Sequence, residues 1–166
     1  LWVKESGQSA RSPLSSPEEI NEPTDLTVFD NGSSGNVLFF TAQDATKTTQ
    51  FLWRSVGGGA IKVLFSGSNM EAPDNELIAT RNAAGDKAFF VTADPGTGTP
   101  QLFVTTDGIT FNTVTEASAA AYTSPGNLIA IPNTGASDTI YVKITTGGDD
   151  LLYTTTGSWT ATQTMS

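Results

Sequence analysis

Apolar positions in this chain fall in short runs rich in valine, leucine, isoleucine and phenylalanine, separated by polar turns that carry glycine, asparagine or aspartate. Runs of that length and composition predict β-strands, and no window keeps a convincing helical period. The clearest unit is 50–65, where two such runs flank Gly57, Gly58 and Gly59, the signature of a tight hairpin. Leu1-Trp2, Leu52-Trp53, Leu102-Phe103 and Leu151-Leu152 open equivalent runs at intervals of 51, 50 and 49 residues.

The repeat contains four strand-like runs. The first covers 26–29, 77–80 and 128–131, each entered from a proline three or four residues ahead of its leucine (Pro23, Pro73, Pro125). The second covers 37–42, 87–92 and 139–144, centred on Phe39-Phe40, Phe89-Phe90 and Ile140-Tyr141 at steps of 50 and 51. The third covers 1–4, 51–55, 102–105 and 151–155, and the fourth 10–14, 60–65, 110–114 and 159–164. One half repeat (1–16) and three full ones (17–65, 66–116, 117–166) are therefore expected in a single array. A lone four-stranded meander cannot bury both faces, and stacking copies side by side does so. The expected fold is all-β, built of four-stranded antiparallel blades as in a β-propeller or part of one. The first two runs are apolar at successive positions, as strands covered on both faces are.

The leucine–aromatic run, hairpin glycine and following valine-rich run resemble bacterial secreted repeats built around Glu-Leu-Trp-x-x-Asp-Gly-Thr. The pattern stands here as 51–57 and 102–111, and only the second copy keeps the Asp-Gly pair, Asp107-Gly108. That copy also resembles a degenerate Asp-box, the sialidase-type hairpin, with one residue missing between Asp107 and Gly108. The resemblance implies a propeller-like fold on a secreted or surface-attached protein and carries no chemistry with it.

Composition narrows the function. A net charge of −9, from 17 acids and 8 bases, disfavours nucleic acid and anionic membranes. The absence of cysteine and histidine removes thiolate chemistry, the commonest general base and the commonest zinc ligand. No apolar run reaches the roughly 20 residues that span a bilayer. The chain opens on Leu1-Trp2-Val3 without an initiator methionine or signal-peptide pattern, so it reads as processed or truncated. Richness in threonine, serine and glycine points to an extracellular, cell-surface or virion-surface protein.

Candidate chemistry is thin. A sialidase-like reading needs an arginine cluster and paired acids. Arg11, Arg54 and Arg81 stand at three different strand positions, and Asp107 is expected to bond its own turn. Trp2 and Trp53 share a repeat position with Phe103, which predicts packing between blades; Trp159 stands alone in the last run. In an antiparallel meander one loop end gathers Glu18, Glu19, Glu22, Asp25, Asp44, Glu71, Asp74, Glu76, Asp94, Asp149 and Asp150, with Lys47 the one base. That end is expected to bind Ca²⁺ through oxygen ligands, to dock a protein or glycan partner, or to be a solvated acidic surface. The opposite end carries Glu5, Asp30, Asp86, Asp107 and Asp138 beside Arg81 and Lys87. No catalytic or metal-ligating residue is assigned. The expected function is a non-enzymatic surface module for assembly or for glycan or protein binding, with no cofactor beyond possible Ca²⁺. The alternative is a fragment of a carbohydrate-active, sialidase-like propeller enzyme with its catalytic residues elsewhere.

Overall fold

The computed structural model describes residues 20–31, 35–56, 59–71, 77–81, 87–116, 125–133, 138–146, 149–155 and 164–165. Expectations that rest on Trp2, Glu5, Arg11, Trp159, Glu18, Glu19, Asp74, Glu76 and Asp86 lie outside them, as do the side chains of Asp149 and Asp150. The fold is all-β, and the described residues hold no helix.

Three antiparallel meanders follow one another. The first sheet runs β1 (Asn21–Asp30), β2 (Asn36–Gln43), β3 (Gln50–Val56) and β4 (Gly59–Lys62), in that spatial order. A small hairpin, β5 (Leu64–Phe65) and β6 (Ser68–Asn69), turns through Ser66 and Gly67 with φ of 51° and 86°. The second sheet is β7 (Leu77–Arg81), β8 (Lys87–Ala93), β9 (Gln101–Thr105) and β10 (Asn112–Thr113). After β11 (Thr115–Glu116) comes a third sheet, β12 (Pro125–Ile131), β13 (Thr139–Thr146) and β14 (Asp149–Thr155). The last strand, β15 (Thr164–Met165), pairs in parallel with β11 rather than extending the third sheet.

Two details of the sequence reading are corrected. The run expected at 60–65 breaks at Val63, whose N–H donates to the Leu52 carbonyl (2.9 Å) while the Leu52 N–H donates to Met70 (2.9 Å). The chain thus returns along β3 before leaving the sheet. While Pro73 lies outside the described residues, the other two prolines placed ahead of the first run lie inside it: β1 begins at Asn21 and includes Pro23, and β12 begins at Pro125. Both are edge strands, where a missing N–H costs no ladder bond. Each proline is followed two residues later by an Asx in the left-handed region, Asp25 (φ 52°) and Asn127 (φ 44°), beside a bulge in the ladder. Asp and Asn tolerate that conformation better than other side chains, which explains the Pro-x-Asx-Leu spelling of Pro23–Leu26 and Pro125–Leu128.

The ladders set which residues of the repeats are equivalent. Phe40 pairs with Trp53, Val91 with Phe103, and Val142 with Tyr153. Phe39 therefore corresponds to Phe90 and Tyr141, at steps of 51 and 51, and the double-phenylalanine alignment at step 50 is off by one residue. The shift restores Thr41-Ala42 opposite Thr92-Ala93 and aligns Leu26, Leu77 and Leu128. Tyr153, rather than Leu152, is then the counterpart of Trp53 and Phe103. Because alternate residues point to opposite faces, a slip of one would invert the packing.

With that register, each sheet uses two distinct faces, which we call forward and rear. Forward residues Val37, Phe39 and Leu52 of the first sheet meet rear residues Phe89, Val91 and Phe103 of the second in one buried cluster. Forward residues Ala88, Phe90 and Leu102 of the second sheet meet rear residues Leu128, Ile140 and Val142 of the third in another. The same positions recur at both junctions, so the stack is head-to-tail. Val63 and Val114 close the outer side of the two clusters through matching N–H bonds to Leu52 and Leu102. On the rear of the first sheet Phe40, Ala42, Phe51, Trp53 and Ala60 form a third buried cluster, with the Trp53 indole N–H donating to the Ala42 carbonyl at 3.0 Å. The first strands lie side by side, β1 against β7 and β7 against β12.

Candidate functional site

The acidic loop end is more committed than its composition implies. Asp44 and Asp94 open the loops after β2 and β8 and turn back on their own backbone. The Asp44 carboxylate accepts from the Thr46 N–H (2.9 Å) and hydroxyl (2.6 Å), and from the Lys62 ammonium at 2.8 Å. Asp94 Oδ1 accepts three successive N–H groups, from Gly96 (2.9 Å), Thr97 (2.7 Å) and Gly98 (3.1 Å). Lys62, from β4, corrects the expectation that Lys47 is the one base at this end. It reaches over the rings of Phe51 (4.5 Å to the centroid) and Trp53 (5.6 Å), so its stem covers aromatic surface while its charge meets Asp44. The Lys62 hydrogen bond, with those from Thr46, holds the Asp44 carboxyl down at about 2. Glu22 and Glu71 remain exposed, and the Asp25 carboxylate accepts from the Thr41 hydroxyl at 3.2 Å. Among the described residues no three acidic side chains converge as a cation cage would need.

The Asp-box-like hairpin is a structural clasp. Asp107 Oδ1 accepts from the N–H groups of Ile109 (2.8 Å) and Thr110 (2.7 Å) and from the Thr105 hydroxyl (2.9 Å). Burial pushes this carboxyl up, but those bonds together bring it below its ordinary value. The first sheet grips the turn from the other side. The Arg54 guanidinium donates to the Gly108 carbonyl at 3.1 Å and the Asn31 amide to the Asp107 carbonyl at 2.7 Å. Gly108 has φ +70°, and a Cβ there would come within 3.1 Å of Val37 Cγ2, so both the turn and the junction require glycine. Arg54 is thus occupied in holding two sheets together.

A concavity among the described residues opens at the opposite end, where the first strands finish. An open pocket of about 280 Å³ is lined by Val28, Phe29 and Asp30 of β1, Ala79, Thr80 and Arg81 of β7, Lys87 of β8, and Pro132 and Asp138 flanking the third sheet. By the 51-residue register these are repeated positions: Asp30, Arg81 and Pro132 end the first strands, while Asn36, Lys87 and Asp138 stand at the start of the second. At each junction the second of these positions binds the first position of the preceding sheet. Lys87 forms an ion pair with Asp30. Asp138 accepts from the Arg81 backbone N–H at 3.0 Å and the Thr80 hydroxyl at 2.7 Å, and its own N–H donates to the Arg81 carbonyl at 3.0 Å.

Asp138 is buried, which raises its carboxyl, yet the Arg81 and Asn133 N–H groups, the Thr80 hydroxyl and the Arg81 charge outweigh this and lower it. A carboxylate held ionised and fully engaged is a poor proton donor near neutrality, whereas a glycosidase acid has its pKa raised. The pocket is lined by both charged and apolar side chains, and among the charged ones Lys87 pairs with Asp30 while Asp138 bonds Thr80 and the Arg81 N–H. Of its lining residues the sequence places Asp30, Arg81, Lys87 and Asp138 at this end, but the slipped phenylalanine pair hides the 51-residue alignment that brings them together. Comparison of the chain with protein-family models, with curated proteins and with solved structures returned no match.

Proposed function

We propose that this chain is a non-enzymatic repeat module of the β-propeller type, displayed outside the cell or on a cell or virion surface, where it serves in assembly or presents loops to a protein or glycan. The observation that carries this reading is the reuse of one forward face and one rear face at both junctions, with the first strands adjacent. Propeller blades stack in that manner around an axis, and propellers hold about 4–8 of them. Three sheets are an arc of such a ring. Arg54 and Asp107, which a sialidase-like reading would draw on, are engaged by the fold itself.

A glycan array, run beside hydrolysis assays with fluorogenic glycosides, tests the reading. Binding or assembly without turnover is expected. Hydrolysis above background that Arg81→Ala abolishes overturns it, as does a chain that neither assembles nor binds any glycan or protein.

A further inference from the structure

The pocket where the first strands finish carries one charge that the fold leaves uncommitted. Of its acids, Asp30 pairs with Lys87, and Asp138 accepts from the Thr80 hydroxyl and from the N–H groups of Arg81 and Asn133. Arg81 is fixed at its main chain, whose N–H and carbonyl both bond Asp138 at 3.0 Å. Its side chain is exposed, and among the described residues the guanidinium makes no hydrogen bond or ion pair. Arg54, by contrast, gives its guanidinium to the Gly108 carbonyl. Beside the Arg81 charge lies apolar surface from all three repeats: Val28 is 58 % exposed, and Ala79 and Pro132 are exposed with it. Single exposed apolar side chains are ordinary on a surface. Three of them lining one concavity with an unpaired guanidinium match the make-up of a ligand site, apolar walls with few polar groups.

We propose that this pocket binds a small monocarboxylate with an apolar body, the carboxylate held by Arg81 and the body lying against Val28, Ala79 and Pro132. The proposal goes beyond the module reading and does not depend on it. A planar guanidinium matches a carboxylate through two parallel N–H bonds. One uncommitted positive charge also neutralises one negative charge and no more. The second charge of a dianion such as sulfate would face the Asp30 and Asp138 carboxylates with nothing to offset it. The volume of about 280 Å³ lies at the lower edge of ordinary ligand sites, roughly 300–1,000 Å³, which limits the body to a few carbons or one ring.

Titration of isotope-labelled protein at constant ionic strength, followed by NMR, tests the proposal with isovalerate and benzoate as probes. Both should give saturable shifts of the Arg81 side-chain N–H and the Val28 methyl groups. Acetate, which lacks the body, should bind about tenfold more weakly. The neutral amide isovaleramide and the dianion sulfate should give no saturable shift. Arg81→Gln should lose saturable binding of both acids and keep a melting temperature near the parent's, because the main-chain bonds to Asp138 do not need the guanidinium. Val28→Thr should narrow the preference for isovalerate over acetate. No saturable shift at Arg81 with either acid overturns the proposal. So does isovaleramide or sulfate binding as tightly as isovalerate, or binding that survives Arg81→Gln.

Discussion

Between the first and second sheets the Phe39 and Phe89 rings stack with centroids 4.0 Å apart, and Phe111 meets both edge-on at 5.9 and 6.3 Å. At the corresponding positions between the second and third sheets stand Phe90 and Ile140, among Leu102, Val104, Leu128 and Val142. One junction is aromatic, the other chiefly aliphatic. Their ties differ in the same spirit: a half-exposed lysine–aspartate pair at the first, a buried aspartate bonded to main chain at the second. The stack is therefore defined by positions, face and register, and tolerates different side chains at them. Volume is conserved loosely, and the strand alternation is conserved strictly.

The largest effect should come from emptying the aromatic junction. Phe89→Ala removes a fully buried ring that contacts three others and is expected to cost about 3–5 kcal/mol in chemical denaturation. Ile140→Val at the aliphatic junction should cost only about 0.5–1.5 kcal/mol. Equal losses would mean that the first junction is not packed as described.

The polar ties come next. Asp138→Ala strands the buried Thr80 hydroxyl and the partly buried Arg81 N–H, with an expected loss of about 1–3 kcal/mol. Lys87→Met, at the same repeat position, removes an exposed ion pair and should change stability by less than about 1 kcal/mol. A thermal or urea melt of the two variants side by side reads the contrast, and a larger loss for Lys87→Met would reverse it.

The smallest effect concerns Asp44 and Lys62 at the acidic end. Because the folded carboxyl titrates near 2 against an ordinary 3.8, its contribution is complete above about pH 4 and is lost as pH falls through about 2. Asp44→Asn should accordingly show a shallower fall in melting temperature between pH 4 and pH 2 than the parent. Identical slopes would remove Asp44 from the acid response.

Much of this fold was legible in the chain. Glycine-bearing turns between apolar runs marked the meanders, and the recurrence of leucine–aromatic pairs marked the repeat. The register within the second strand was not legible, for a physical reason. Phe39-Phe40 and Phe89-Phe90 are buried on both faces, which erases the alternation that would show which phenylalanine points forward. The charged ends of the first strands were visible as charges, but their pairing depends on the same register. Lys62 was missed at the acidic end because it lies inside the fourth run rather than in a loop; β4 leads from its turn at Gly59 back toward that end, and the long side chain reaches Asp44 across aromatic rings.

The head-to-tail stack is tested most directly by two double-mutant cycles with Phe→Leu substitutions. Phe39 and Phe89 share the first junction, whereas Phe39 and Phe90 are equivalent positions that face different junctions. Head-to-tail packing at the 51-residue register predicts a coupling of about 0.5–1.5 kcal/mol between Phe39 and Phe89. It also predicts additivity within about 0.3–0.5 kcal/mol for Phe39 and Phe90. Strong coupling of Phe39 to Phe90 with none to Phe89 would contradict it.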